Sequence, residues 1–478
     1  MPQRRTRLSL RTAAFLGAVA LIATACGARL TAEQRAAGIG AGRGGNAVSA
    51  NPGEVPGAQP SGGVFPSVGP SGGVLPPGGA VPPGVTPVQR CEPSAGGNKA
   101  TDVGVTPSQI TVAVASDVSG VQSGLFKSTH QAMQALSAFV NSQGGICGRA
   151  MKPLLLDTRI DAGANRNAVL EACQKAFALV GSMSALDNGG AQAGQDCGIP
   201  DISAITVNAA RTNATNNYPA YPVRNDKYMI GPEQYIKQTY GPAVYKHAAA
   251  LWLNVAVSKN SMAQRINALE SIGYHFDYRQ QLNVSEPNYN PFVLDMKDLG
   301  IEYVNFVGDY RTLVKIQDAM RQQKWFPKVR DWDSVAYSSG YLSLGGPSVE
   351  GSLVFLNNAL GIYGEEPSSP EMMLYRQWLA RVQPGAKPDY FGLYAWSAGR
   401  LFAQAATSAG PDLTRKKVFE ELKKIHQWTG FGLHAAHDTG LKTPTNCFLY
   451  AIVKNNKFSR LTPASGWDCR FPLIPARA

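Results

Sequence analysis

The chain has 478 residues, 44% hydrophobic and 16% charged, which is long enough and apolar enough for two substantial cores. Its formal charge of +12 includes Arg4, Arg5, Arg7 and Arg11, and setting these four aside leaves +8 spread without a dense Lys/Arg run. A nucleic-acid surface gathers such charge into a stripe with interleaved aromatics, so this balance points to a mildly basic exported protein and not to a nucleic-acid partner.

The four arginines precede a neutral run over 12–25, too short for a spanning helix but suited to the apolar region of a signal peptide. It ends in Ala23-Thr24-Ala25-Cys26, which resembles a bacterial lipobox. We therefore expect a signal peptide over 1–25 and a diacylglyceryl group on Cys26, the anchor of an extracytoplasmic protein to the cell membrane. An ordinary cleaved signal with an incidental cysteine is the alternative. No later segment offers the roughly 18 uninterrupted apolar residues of a transmembrane span.

Residues 26–104 read as a lipidated start and a spacer. Gly, Pro, Ser and Val dominate 38–97, with a near-repeat in Ser61-Gly-Gly-Val-Phe-Pro66 and Ser71-Gly-Gly-Val-Leu-Pro76. Apolar surface is too sparse there to offset chain entropy, and proline keeps such a segment extended. Gly40-Ala-Gly42-Arg-Gly-Gly45 and Gly69-Pro-Ser71-Gly-Gly73 match nucleotide-loop and nucleophile-elbow patterns. Both lack the strand-turn-helix setting that gives those patterns their chemistry.

After Asp102 strand and helix signals alternate. Ile110-Thr-Val-Ala-Val-Ala115 predicts a buried strand, followed by a helix with Leu125, Thr129, Met133, Leu136 and Val140 on one face. Gly144-Gly145 stops that helix and Pro153-Leu-Leu-Leu156 begins the next strand. A helix over 167–177, strands at 177–180 and 202–205, and a strand-helix pair from Leu251 through Ile272 follow. Tyr303-Val-Asn-Phe-Val307 then precedes a helix carrying Leu313, Ile316 and Met320. The pattern predicts an α/β fold of two doubly wound, Rossmann-like lobes with parallel sheets.

Apart from Cys26 there are six cysteines, and an oxidising compartment makes disulfides their default state. Sequence alone leaves the pairing open; the expectation is Cys91–Cys147, Cys173–Cys197 and Cys447–Cys469. The last pair flanks a predicted hairpin, 448–453 with 457–461, turning at Asn455-Asn456. Metal binding is the rival use of these thiols, but no C-x-x-C occurs.

Several landmarks in order resemble the type I periplasmic binding proteins, specifically the branched-chain amino-acid-binding family of ABC transporters. Over roughly 105–470 these are Val114-Ala-Ser-Asp-Val-Ser-Gly120, Asn141-Ser-Gln-Gly-Gly-Ile-Cys-Gly148, Phe306-Val-Gly-Asp-Tyr310 and Val349-Glu-Gly-Ser-Leu-Val354. The helix Tyr390–Ser408, Gly410 and Leu413-Thr-Arg415 complete the series. The resemblance implies two lobes joined by three hinge crossovers. Lobe one would be 105–230 plus 358–430, and lobe two 231–357 plus 431–472, with a small solute in the cleft between them. It implies a monomer without a cofactor or metal, delivering its solute to ABC permease and ATPase subunits.

The same resemblance supplies a ligand set. From lobe one come Ser119 and Gln122 after the first strand, Ser182, Ser184 and Ala185 after the third, and Ile205, Thr206 and Val207 after the fourth. From lobe two come Val257 and Ser258 at one strand end, Asp309 and Tyr310 at another, and Asp333 within Val329-Arg-Asp-Trp-Asp333. Asp333 matches an acid for a ligand ammonium, and Tyr310 a cleft aromatic. Ala185 departs from the family pattern by lacking a hydroxyl for the carboxylate; either Ser184 serves or the ligand lacks an α-amino-acid head. Taken singly, Ser182 and Ser184 read equally well as helix caps, Asp333 as a surface acid and Tyr310 as packing.

His434-Ala-Ala-His437-Asp438 is the strongest catalytic or zinc candidate, but three nearby groups lack a fourth partner, and a solvated loop is the expected reading. No G-x-x-x-x-G-K-[ST] is present. Solute capture for transport is thus the leading function, ahead of a sensor without transport, an exported hydrolase using His434, and a cleft that has become a docking surface.

Overall fold

The computed structural model describes residues 83–477. The signal segment, Cys26 and most of the spacer lie outside the described residues. Strand β1 (Gln109–Ser116) opens the first lobe, followed by α1 (Lys127–Ser142), β2 (Ala150–Asp157), α2 (Ala162–Lys175), β3 (Ala178–Val180), α3 (Asn188–Asp196) and β4 (Asp201–Ile202). The strands pair in the order β2-β1-β3-β4, all parallel. Pro153 sits in β2, the edge strand, where a missing backbone N–H costs least. The helix expected over 167–177 begins earlier, because the Asp161 side chain caps it by accepting from Ala164 N–H at 2.6 Å.

The second lobe starts at β5 (Lys227–Met229) and α4 (Gly231–Tyr240). It continues with β6 (Ala248–Leu253), α5 (Ala256–Ser271), β7 (Phe276–Leu282), α6 (Asn290–Asp298), β8 (Tyr303–Val307), α7 (Tyr310–Gln322), β9 (Val329–Trp332), α8 (Ser339–Gly345) and β10 (Leu353–Leu356). The chain then returns to the first lobe with α9 (Pro370–Val382), α10 (Tyr390–Ser408) and α11 (Arg415–Leu422). It crosses a third time into the hairpin β11 (Leu449–Lys454) and β12 (Lys457–Thr462). The second sheet runs β12-β11-β10-β9-β8-β6-β7, with β6 to β10 parallel and the hairpin antiparallel. A short strand, β13 (Leu473–Pro475), pairs with β5.

Packing shows why the α9–α11 segment sits with the first sheet. Phe139 of α1 meets the rings of Trp378 and Trp396 at 5.8 and 6.0 Å. Arg415 donates to the carbonyls of Ala176 at 2.8 Å and Cys197 at 3.0 Å, tying α11 to the ends of α2 and α3. One continuous apolar core contains Leu136 and Trp396 from the first lobe and Leu251 and Phe306 from the second. A separate core lies on the other face of the second sheet, around Tyr303, Phe276 and Tyr450.

The cysteines are joined as Cys91–Cys147, Cys173–Cys197 and Cys447–Cys469. The hairpin turns at Asn455 and Asn456, both left-handed at φ 51° and 56°, the conformation a two-residue hairpin turn requires and asparagine tolerates.

Candidate functional site

The carboxyl ends of β1, β2, β3 and β4 form one crest on the first lobe, and three carboxylates organise it. Asp117, directly after β1, is fully buried. Its Oδ1 accepts from Ile160 N–H at 2.8 Å, from the Ser184 hydroxyl at 3.1 Å and from the Thr158 hydroxyl. Its Oδ2 accepts from Ala185 N–H at 2.7 Å. Asp157, at the end of β2, accepts from the N–H groups of Val118, Ser119 and Arg159 and from the Ser119 hydroxyl at 2.5 Å. Burial pushes the Asp157 carboxyl up, and those hydrogen bonds outweigh it and hold it below its ordinary range. Asp187 accepts from Val207 N–H at 2.8 Å and Asn208 N–H at 2.9 Å, and burial raises its pKa.

Local backbone explains how these loops come so close. A side chain on Gly120, at φ +107°, would fall 2.2 Å from the Arg159 carbonyl oxygen, so only glycine fits between the β1 and β2 loops. Arg159 and Ile160 are both left-handed, at φ 55° and 56°, which is costly for a β-branched residue and presents Ile160 N–H to Asp117.

Most of the expected lobe-one contacts fall on this crest, committed to the protein itself. Ser119 serves Asp157, Ser184 and Ala185 serve Asp117, and Val207 serves Asp187. Ser182 Oγ accepts from Ala115 N–H at 3.0 Å, and Thr206 Oγ1 shares a 2.8 Å hydrogen bond with Thr212. Ile205 is buried and Gln122 half-buried nearby. The residue that sequence reasoning passed over is Asp117, although it stood inside the first landmark. Its signal was an acid placed directly after a buried strand.

On the second lobe, Asp309 caps α7, accepting from Arg311 N–H at 2.9 Å and Thr312 N–H at 3.1 Å. Tyr310 follows it, half-buried, with its hydroxyl against Gly340, where a Cβ would lie 2.6 Å away. Asp333 accepts from Val335 N–H at 3.1 Å. Burial raises its pKa, opposed by the charge of Arg265. Val257 and Ser258 do not end a strand: β6 stops at Leu253, and both lie in the first turn of α5. The β-branched Val255 and Val257 read as strand, but the Val255 carbonyl already accepts from Lys259 N–H at 3.0 Å and starts the helix.

The lobes meet at the crossovers. The Tyr221 hydroxyl donates to Asn357 Oδ1 at 2.8 Å, and the Tyr221 ring lies 4.9 Å from Tyr394 and 5.0 Å from His437. Burial raises the pKa of both Tyr221 and Tyr390, and the Asp333 charge adds to it. An open depression of about 600 Å³ is lined mainly by the segment that returns to the first lobe, including Tyr363, Arg376 and Lys387, with Ser339 of α8 at its second-lobe side. None of the expected contacts lines it.

His434 and His437 are buried, not solvated. Tyr394 stacks on His434 at 5.1 Å, His434 Nε2 is 2.8 Å from the Ser397 hydroxyl, and His437 Nδ1 accepts from Thr445 N–H at 3.0 Å. Asp438 turns away to His426, at 3.0 Å. Burial lowers both histidine pKa values, His434 to about 4, so these rings pack as neutral aromatics at the hinge. The apolar residues on either side, Leu433 and Ala435, were the overlooked sign.

One parallel and one largely parallel sheet, between which the chain crosses three times, match a known architecture. A family model described as periplasmic binding protein matches residues 109–457. The chain belongs to the periplasmic binding proteins. Among solved structures, the fatty acid ABC transporter substrate-binding protein of Thermomonospora curvata is 16% identical, with TM-score 0.65, covering 77% of this chain and 95% of its own. The branched-chain amino acid ABC transporter protein of Thermus thermophilus, solved with bound valine, is 13% identical, with TM-score 0.64 and coverage of 74% and 96%. The branched-chain amino acid transporter substrate-binding protein of Streptococcus pneumoniae, in complex with isoleucine, is 14% identical, with TM-score 0.62 and coverage of 74% and 100%. At such identities the likeness establishes the type I periplasmic binding protein fold, and solute binding follows from the family. No curated protein sequence matches the chain.

Proposed function

We propose that this periplasmic binding protein is the capture component of an ABC importer, held at the outer face of the cell membrane by lipid on Cys26. Lobe one (105–230 plus 358–430) and lobe two (231–357 plus 431–472) close on a small molecule of the amino-acid, amide or related classes and hand it to a permease. The observation that supports this best is the open depression lined by Tyr363, Arg376 and Lys387 of the returning segment and by Ser339 of lobe two. Hinge motion at three crossovers would change its volume directly.

A thermal-shift screen across amino acids, amides, polyamines and aromatic acids tests capture. A ligand at 100 times its Kd stabilises the folded state by about 2.7 kcal/mol. Asp333 is the acid this reading offers to a cationic solute. Asp333→Ala is expected to abolish the shift for a cationic hit and leave a neutral hit nearly unchanged. A cationic hit that binds Asp333→Ala as well as wild type would remove that role. Globomycin treatment or mutation of Cys26 to Ala should release the protein from membranes, and retention would refute the anchor.

A further inference from the structure

The lobe-one crest has the donors of an oxyanion receptor, yet an internal group already fills it. Four donors from two separate loops converge on one buried carboxylate: Thr158 and Ile160 after β2, and Ser184 and Ala185 after β3, all on Asp117. None of the four carries a charge, and no cation lies within ion-pair distance of Asp117 among the described residues. Hydrogen bonds alone hold it, which is how a binding loop treats a carboxylate ligand. The left-handed backbone at Arg159 and Ile160 fits the same arrangement, since it aims an N–H at this carboxylate.

The neighbouring loops are spent likewise. Asp157 takes the Ser119 hydroxyl and the N–H groups of Val118 and Ser119, and Asp187 takes the N–H groups of Val207 and Asn208. A solute carboxylate reaching this crest would find its donors occupied and would face fixed negative charge.

Granting that the cleft captures a solute, we propose that Asp117 stands in, from within the chain, for a ligand carboxylate, so that the solute presents an uncharged or cationic group to lobe one. Amides, alcohols and amines fit that requirement; free amino acids and carboxylic acids do not. Asp117 is thus a specificity-determining residue, acting by occupying the subsite.

Two measurements test it. The first uses wild-type protein and calorimetry with matched probes, valine against valinamide and benzoate against benzamide. No carboxylate is expected to bind more tightly than its amide; one that binds tenfold more tightly than its amide overturns the proposal. The second uses Asp117→Ala, which empties the receptor, with formate as the probe. Formate is expected to stabilise the variant, with at least a tenfold gain in affinity over wild type, while equal chloride does nothing. If Asp117→Ala does not fold alone, refolding yield with and without formate becomes the readout. Recovery only with formate supports the proposal; no recovery in either, or a folded variant indifferent to formate, overturns it. Wild type that binds no probe or library compound while Asp117→Ala gains formate would sink solute capture but leave the role of Asp117 standing.

Discussion

Among the buried arginines, Arg211 of the first lobe and Arg265 of the second are handled differently. Arg211 on the first lobe forks onto Asp201, with both N–H···O distances at 2.7 Å, and reaches Asp187 at 3.9 Å. Arg265 on the second lobe has no carboxylate within ion-pair distance among the described residues. It donates to Asn305 Oδ1 and lies over the rings of Tyr228 and Phe355 at 5.9 and 5.8 Å. The acids around it are met by tyrosines: Asp331 accepts from Tyr303 at 2.7 Å and Tyr450 at 2.9 Å, and Glu233 from Tyr228 at 2.7 Å. Without direct cation partners, burial pushes Glu233 up to about 7 and Asp331 up to about 6. Asp201 thus meets its arginine directly, whereas Glu233 and Asp331 lack such a partner and make the interior of lobe two responsive to pH.

The largest expected break in this comparison is Arg211→Ala, which strands Asp201 in the interior. It should cost about 3–5 kcal/mol in urea unfolding; a loss under 1 kcal/mol would show that the fork contributes little.

Next come two opposed titrations. Glu233 holds its proton more tightly when folded, so its contribution to stability falls as pH rises from 4.5 through about 7. His434 does the reverse: its folded pKa of about 4 gives a contribution that is lost as pH drops from 6.5. Each spans roughly 3 kcal/mol, and over the shared window they oppose. Glu233→Gln should therefore unmask a stability that rises with pH, and His434→Gln one that falls with it. Identical pH profiles for the two variants would refute the assignment.

Arg265→Met should cost less, about 1–3 kcal/mol for the unpaired Asn305. It should also move the acid titration to higher pH, since the Arg265 charge holds both carboxyls down. As the smallest effect, Lys175→Ala breaks an exposed pair with Glu171 and should change stability by only ~0.3 kcal/mol.

Much of the fold was legible because its signals are local. Tyr303–Val307 and the helix carrying Leu313, Ile316 and Met320 occur where the apolar pattern places them, since period and capping lie within each element. Asn455-Asn456 announced the hairpin for the same reason. The crest was not legible, because the partners of Asp117 come from residues about 40 and 70 positions away, and nothing local distinguishes an acid satisfied by distant N–H groups from one in water. His434 and His437 misled for a related reason: their burial depends on Tyr394 and Ser397, supplied by a helix whose own pattern says nothing about them.

The stretch leading into lobe one bears on how the protein would carry load. Val85 and Val88 are buried, the Thr86 carbonyl accepts from Arg400, and Cys91 is covalently riveted to Cys147. On a lipid-tethered molecule, tension along the leash would end at that rivet and be borne by a single lobe. The crossovers would feel none of it, so the jaw could swing without working against its own mooring.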